Sequence, residues 1–183
     1  MDSKEKNMAR FYAARAEHLK WVNMIKLLTS GFKVDKEMLK PLFQDSDLGK
    51  WYYQEAIQFA QFNSQIVLDE MEELFEAMYN SYSSIYAIYF GESESGLKSF
   101  LGIKRSVVSN NDKLLASRYY EDIVKLSDQL KGKFKIFERQ LLALPNDRHE
   151  CVNRIEDESK YSLQSLSTEH SEEEGEVYSL RAR

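Results

Sequence analysis

The residues whose types and spacing could do chemistry are few: three histidines, one cysteine and a glutamate-rich stretch. His18 lies in the run "EHLKW", three residues before Trp21, whereas His149 and His170 stand in polar sequence near the end. Glu72 and Glu76, in "DEMEELFEAM", are one helical turn apart, where two carboxylates either share a cation or repel each other. A nucleophilic enzyme needs Ser or Cys beside an orienting base, and two of the histidines fall outside the segments expected to pack. A ferritin-like di-metal enzyme needs Glu-x-x-His pairs on core helix faces, and the helical segments contain none. Cys151, the single cysteine, excludes an intramolecular disulfide and a Cys-x-x-Cys zinc motif. No Gly-rich phosphate loop occurs. Catalysis is therefore not expected.

These residues must be positioned by helices. From Ser3 to Ser30 there is no Gly or Pro, and Phe11, Ala14, His18, Trp21, Ile25 and Leu28 recur at steps of three and four. This pattern predicts one long amphipathic helix stopped by Gly31. Asp35 is expected to cap a short helical piece limited by Pro41, and Asp45 or Ser46 to cap a second long helix through Phe62. Leu48, Tyr52, Glu55, Phe59 and Phe62 line one of its faces. Asn63 or Ser64 starts a third helix, with Leu68, Glu72, Phe75, Tyr79, Tyr82 and Tyr86 on one stripe, ending before Gly91. The connection "GESESGLKSFLGIKRSVVSNND" holds one short amphipathic helix. Asn111 or Asp112 caps a fourth long helix that Pro145 stops. The expected fold is all-α, an antiparallel four-helix bundle over residues 1–148. Residues 149–183, rich in Ser and Glu and without a core-facing stripe, are expected to form a mobile, disordered acidic tail.

Composition agrees with one helical domain: 183 residues carry 7 Gly and 2 Pro, with 43% hydrophobic side chains to supply a core. A formal net charge of −5 and the lack of any long Lys/Arg run argue against nucleic acid as a partner. There is no apolar run of about 18 residues. The start "MDSKEKNMAR" lacks the apolar core of a signal peptide, so a cytoplasmic, soluble protein without membrane insertion is expected.

The block "FQDSDLGKWYYQEA" sets Gly49 in the first turn of the second helix, where Gly costs roughly 1 kcal/mol against Ala unless close packing requires it. Together, His18-x-x-Trp21, Ser46-x-Leu48-Gly49-x-Trp51 and Glu72-x-x-x-Glu76 resemble the chemoreceptor zinc-binding domain, a four-helix cytosolic sensor of bacterial signalling proteins. The family pattern reads His-x-x-Trp, Cys-x-Leu-Gly-x-Trp, His-x-x-x-His, and the resemblance covers roughly residues 8–90. It implies that Trp21, Leu48, Gly49 and Trp51 build the structural corner of a site. Ser46 stands at the family's Cys position, and Glu72 and Glu76 stand at its paired histidines. A serine hydroxyl is a poor zinc ligand at neutral pH. The implied metal set is then His18, Glu72 and Glu76, which could hold Zn²⁺, Mn²⁺ or Fe²⁺. Without a metal, the same convergence would pair protonated His18 with Glu72 or Glu76 and raise the histidine's pKa.

The resemblance implies a sensory or regulatory domain in chemotaxis or cyclic-dinucleotide signalling, acting by ligand or protein binding on protein partners in other chains. The alternative is an interaction or scaffold protein that kept the bundle and lost sensing. Its interface would be the stripe Tyr79, Tyr82, Tyr86 and Tyr89, whose hydroxyls suit an edge covered by a partner or by a second copy in a homodimer.

Overall fold

The computed structural model describes residues 2–39, 42–91 and 108–155. Among them there are helices and turns and no β-strand. Helix α1 spans Ser3–Thr29. It opens with a capping box, in which the Asp2 side chain accepts from the Glu5 N–H and Glu5 returns the bond to the Asp2 N–H. It closes before Gly31, whose φ of +89° is a left-handed stop. Asp35 caps a single 3₁₀ turn, Lys36–Met38.

A second 3₁₀ turn, Phe43–Asp45, leads into the short helix α2, Asp47–Gln54. The expected long second helix is not continuous. After Glu55 the chain tightens into a 3₁₀ stretch, Ala56–Phe62, that ends on Asn63 at φ 66°. In a 3₁₀ helix every third side chain eclipses, and here Ala56 and Phe59 are buried with Phe62 partly buried beside them.

Helix α3 spans Gln65–Phe90 and α4 spans Asn110–Ala143, capped by Ser109 rather than by the expected Asn111 or Asp112. The Ser109 hydroxyl accepts from the Asp112 N–H at 3.1 Å and donates to its carboxylate at 2.7 Å. Helices α3 and α4 pack along each other, and α1 lies against α4 and α2. The core between them is strongly aromatic: Phe11 meets Trp51, Phe134 and Phe137 at ring separations of 5.8–5.9 Å. The short helix expected between Gly91 and Asp112 falls largely on residues 92–107, outside the described residues.

One expected boundary is displaced. Residues 146–155 are helical, and His149 and Val152 are buried, so 149–155 belong to the packed fold rather than to a tail. The Lys4 N–H donates to Asn146 at 3.0 Å, tying this segment to the start of α1. Two core-facing side chains in a polar helix are too sparse to show as a stripe. The rest of the expected tail, 156–183, lies outside the described residues.

Candidate functional site

Ser46 and Gly49 shape the corner that the sequence singles out. The Ser46 hydroxyl donates to the Phe43 carbonyl at 2.6 Å and accepts from the Gly49 N–H at 3.0 Å, capping α2 on the preceding turn. A Cβ on Gly49 would stand 2.0 Å from the Phe43 carbonyl oxygen, so no larger residue fits that first turn. The tight approach directs Trp51 into the core against Phe11 and Phe137 and turns Leu48 toward α1.

On α1, His18 and Trp21 face the same corner. Trp21 stacks on Tyr79 of α3 with centroids 4.9 Å apart and planes 8° from parallel, and meets the edge of Tyr82 at 5.3 Å. His18 is 1% exposed; its Nε2 lies 2.8 Å from the Ser127 hydroxyl of α4, and its ring meets Phe134. Burial, assisted by the positive charge of Lys131, pushes the imidazole down to about 4, so it is neutral at neutral pH.

His18 and Trp21 line a cavity of about 270 Å³ together with Ser46, Leu48, Phe75 and Tyr79. Burial pushes the Tyr79 hydroxyl up to about 12. Two polar atoms at this corner, His18 Nδ1 and Trp21 Nε1, are buried without a hydrogen-bond partner. Such groups cost about 1–3 kcal/mol each when left unpaired. The cavity is thus apolar on most of its wall, with unmet hydrogen-bonding capacity in the two α1 side chains that border it.

The expected metal set does not form. Glu72 accepts from the Tyr53 hydroxyl at 2.8 Å, Glu76 is exposed, and neither lines the cavity that holds His18 and Ser46. Among the described residues no three His, Cys, Asp or Glu side chains are placed to hold a metal ion. The α3 positions one turn apart that do face His18 and Ser46 are Phe75 and Tyr79, three residues beyond the glutamates. The buried stripe of α3 runs through Leu68, Met71, Phe75, Met78 and Tyr82, which rotates Glu72 and Glu76 off it. Desolvating methionines is favourable, whereas desolvating two adjacent carboxylates is not. The remaining donors, one imidazole, a hydroxyl spent on a helix cap and a phenol held protonated, do not suit Zn²⁺, Mn²⁺ or Fe²⁺. The alternative pairing of protonated His18 with Glu72 or Glu76 is overturned as well, because His18 pairs with Ser127 and its pKa is lowered rather than raised.

The tyrosine stripe is mostly internal. Tyr82 is 0% exposed, wedged between Trp21, Tyr79 and Tyr86, and is unavailable to a partner. Tyr79, Tyr86 and Tyr89 are partly buried against the core. Cys151 is a free, half-buried thiol.

Four residues were not read from the sequence as contributors to the core or the cavity. Ser127 interrupts the apolar face of α4 between Ile123 and Leu130, and a small hydroxyl at such a position is a visible sign of a buried polar partner across the core. Met78 and Phe75 carry no polar signal, and only the packing of α3 shows that they border the cavity. His149 donates from Nε2 to the Leu141 carbonyl at 3.0 Å, which leaves Nδ1 to accept from Asn7 at 3.3 Å. It is a second buried imidazole in a segment that reads as polar.

No helix among the described residues is long and apolar enough to cross a membrane. Compared with protein-family models, with curated proteins and with solved structures, the chain matches none.

Proposed function

We propose that this chain is a helical sensory or regulatory domain that binds a small organic molecule in the cavity bordered by α1, α2 and α3, and that it acts by binding rather than by catalysis. The observation that carries the reading is the cavity of about 270 Å³, walled by Trp21, Met24, Leu48, Phe75 and Tyr79 with Ser46 at its border. A mostly apolar recess with a few convergent polar groups is the usual form of a small-molecule site.

The reading keeps part of the likeness to chemoreceptor zinc-binding domains. His18, Trp21, Ser46 and Leu48 border one cavity, as the family pattern implies, but an organic ligand takes the place of the metal. On this reading the three long helices, with α2 and its 3₁₀ extension as the remaining leg, are the members of an antiparallel four-helix bundle. Its output is a contact with protein partners of a cytoplasmic signalling system. The Ser127–His18 pair at 2.8 Å has the first contact of a nucleophilic dyad, but catalysis there is disfavoured. Ser127 is 1% exposed in the middle of α4, where backbone N–H groups are spent on the helix and leave no donors for an oxyanion.

Fluorotryptophan labelling tests the reading, because the chain has 2 tryptophans and only Trp21 borders the cavity. A panel of cationic, anionic and neutral small molecules is added, with Trp51→Phe assigning the two resonances. At least one compound is expected to shift the Trp21 signal and raise Tm, and Met24→Phe, which fills the cavity from its α1 wall, is expected to remove both effects. A panel that moves neither signal nor Tm, or binding that ignores Met24→Phe, overturns the reading.

A further inference from the structure

The polar atoms nearest the cavity offer little to a molecule that enters it. His18 Nε2 is paired with Ser127, and His18 Nδ1 and Trp21 Nε1 are buried out of a ligand's reach. The Ser46 hydroxyl is spent twice, on the Phe43 carbonyl and the Gly49 N–H, and the Tyr79 hydroxyl lies beside it. Glu37, Asp45 and Asp47 are exposed at the mouth, where water and salt leave an ion pair with a ligand worth little. What remains is soft apolar surface. Of the chain's 6 methionines, Met24, Met38 and Met78 border this one cavity, beside the rings of Trp21, Phe75 and Tyr79. Trp21 and Tyr79 cover one face of each other at 4.9 Å, and Phe75 is stacked on Phe43 at 4.4 Å, so these rings present edges and their remaining faces.

We infer that the ligand is a neutral aromatic molecule of one or two rings, held by methionine thioethers and ring contacts rather than by a charge or a directed hydrogen bond. The inference rests on the small-molecule reading of the same cavity and names its ligand class. The size follows from the volume: about 270 Å³ compares with the roughly 150 Å³ of an apolar cavity that takes benzene. The chemistry follows from the wall. A thioether sulfur is polarizable and packs favourably against aromatic rings, and ring edges carry the positive end of the quadrupole that suits another ring's face. A saturated body of the same shape buries as much apolar surface and forfeits both contacts, so burial alone gives no preference for the aromatic one. An anion is disfavoured, because its charge must pass Glu17, Glu37, Asp45 and Asp47 with only Lys20 to offset them. An ammonium at the hydrated mouth is tolerated and adds little.

The probes are indole, ethylbenzene, ethylcyclohexane, phenethylamine and 3-phenylpropanoate. Affinities for the full chain are measured by calorimetry at physiological salt, with the Trp21 fluorine signal reporting the place of binding. Indole and ethylbenzene are expected to bind and to shift that signal. Ethylcyclohexane is expected to bind about threefold to tenfold more weakly than ethylbenzene, the loss of one or two ring contacts. Phenethylamine should stay within about threefold of ethylbenzene, and 3-phenylpropanoate should be weaker by about tenfold. The double variant Met24→Leu, Met38→Leu keeps the volume nearly constant, and it should cut the preference for ethylbenzene over ethylcyclohexane by at least about twofold. Equal or tighter binding of ethylcyclohexane, a preference unchanged in the double variant, or phenethylamine or the propanoate tighter than ethylbenzene by more than about tenfold overturns the ligand class. If other members of the broader panel shift Trp21 while indole and ethylbenzene do not, the class falls and the pocket stands; if no compound shifts it, both fall.

Discussion

His18 and His149 are two buried imidazoles in the same core, and they have opposite consequences. Both are within 1% of full burial, and burial lowers the pKa of each. His149 is paired at both nitrogens, to Leu141 and Asn7, and packs against Phe59 at 5.5 Å. It holds the segment 146–155 to the start of α1 and asks for nothing more. His18 is paired at one nitrogen, and the other remains unmet beside a cavity. Burial alone does not separate a fully paired histidine from one with a nitrogen left over. The number of hydrogen-bonding sites left over does.

The contrast can be broken most severely at Gly49. Because its Cβ would overlap the Phe43 carbonyl, Gly49→Ala should cost about 3 kcal/mol or more, above the usual range for overpacking. Denaturant unfolding checks the cost, and a loss under about 1 kcal/mol would show that the turn and α2 separate easily.

Acid should act on both histidines with one sign. The folded pKa of His18 is about 4 against an ordinary value of 6.5, so the unfolded chain binds more protons between these two values. Its contribution is complete above pH 6.5 and is lost as pH falls through about 4, reaching roughly 3 kcal/mol. His149, also lowered, adds in the same direction. His18→Gln should flatten the curve in part and leave the His149 component, and a stability profile that rises toward pH 4 would reverse the assignment of both rings.

At neutral pH the two sites should part. His149→Ala takes one hydrogen bond from the Leu141 carbonyl and one from the Asn7 amide, which keep the Leu144 N–H and the backbone carbonyl at position 149, whereas His18→Ala takes one from the Ser127 hydroxyl. His149→Ala is expected to be the more damaging by about 1–2 kcal/mol in chemical unfolding. Equal losses would mean that the His18 corner is packed as completely as the His149 segment. The smallest effect is expected from Ser127→Ala, about 1 kcal/mol, since the imidazole keeps its packing against Phe134. It should also free Nε2 and alter the response of the Trp21 signal to ligands, a change that no substitution near His149 should reproduce.

Much of the helical frame could be read from residues with strong local preferences. Gly31 ends α1, Gly91 follows α3 and Pro145 follows α4, each as expected from backbone rules that need no partner. The 3₁₀ stretch Ala56–Phe62 could not be read this way. Its sequence suits an α-helix, yet the chain winds there as a 3₁₀ helix with Ala56 and Phe59 buried. The site was legible by halves. His18, Trp21, Ser46 and Leu48 were singled out by the resemblance to the chemoreceptor zinc-binding pattern, while the cap at Ser46 and the tight glycine at position 49 were legible locally.

What the sequence determined by itself was therefore the all-α character and most helix ends, since these follow from capping, glycine and proline chemistry and apolar periodicity within a few residues. The rotation of α3, which brings Phe75 and Tyr79 to His18 and turns Glu72 and Glu76 away, was decided only by the tertiary structure. So was the inclusion of 149–155 in the fold. A helix with apolar and polar residues on adjoining faces can be rotated by a fraction of a turn at little local cost, and only the partners it packs against choose between those rotations.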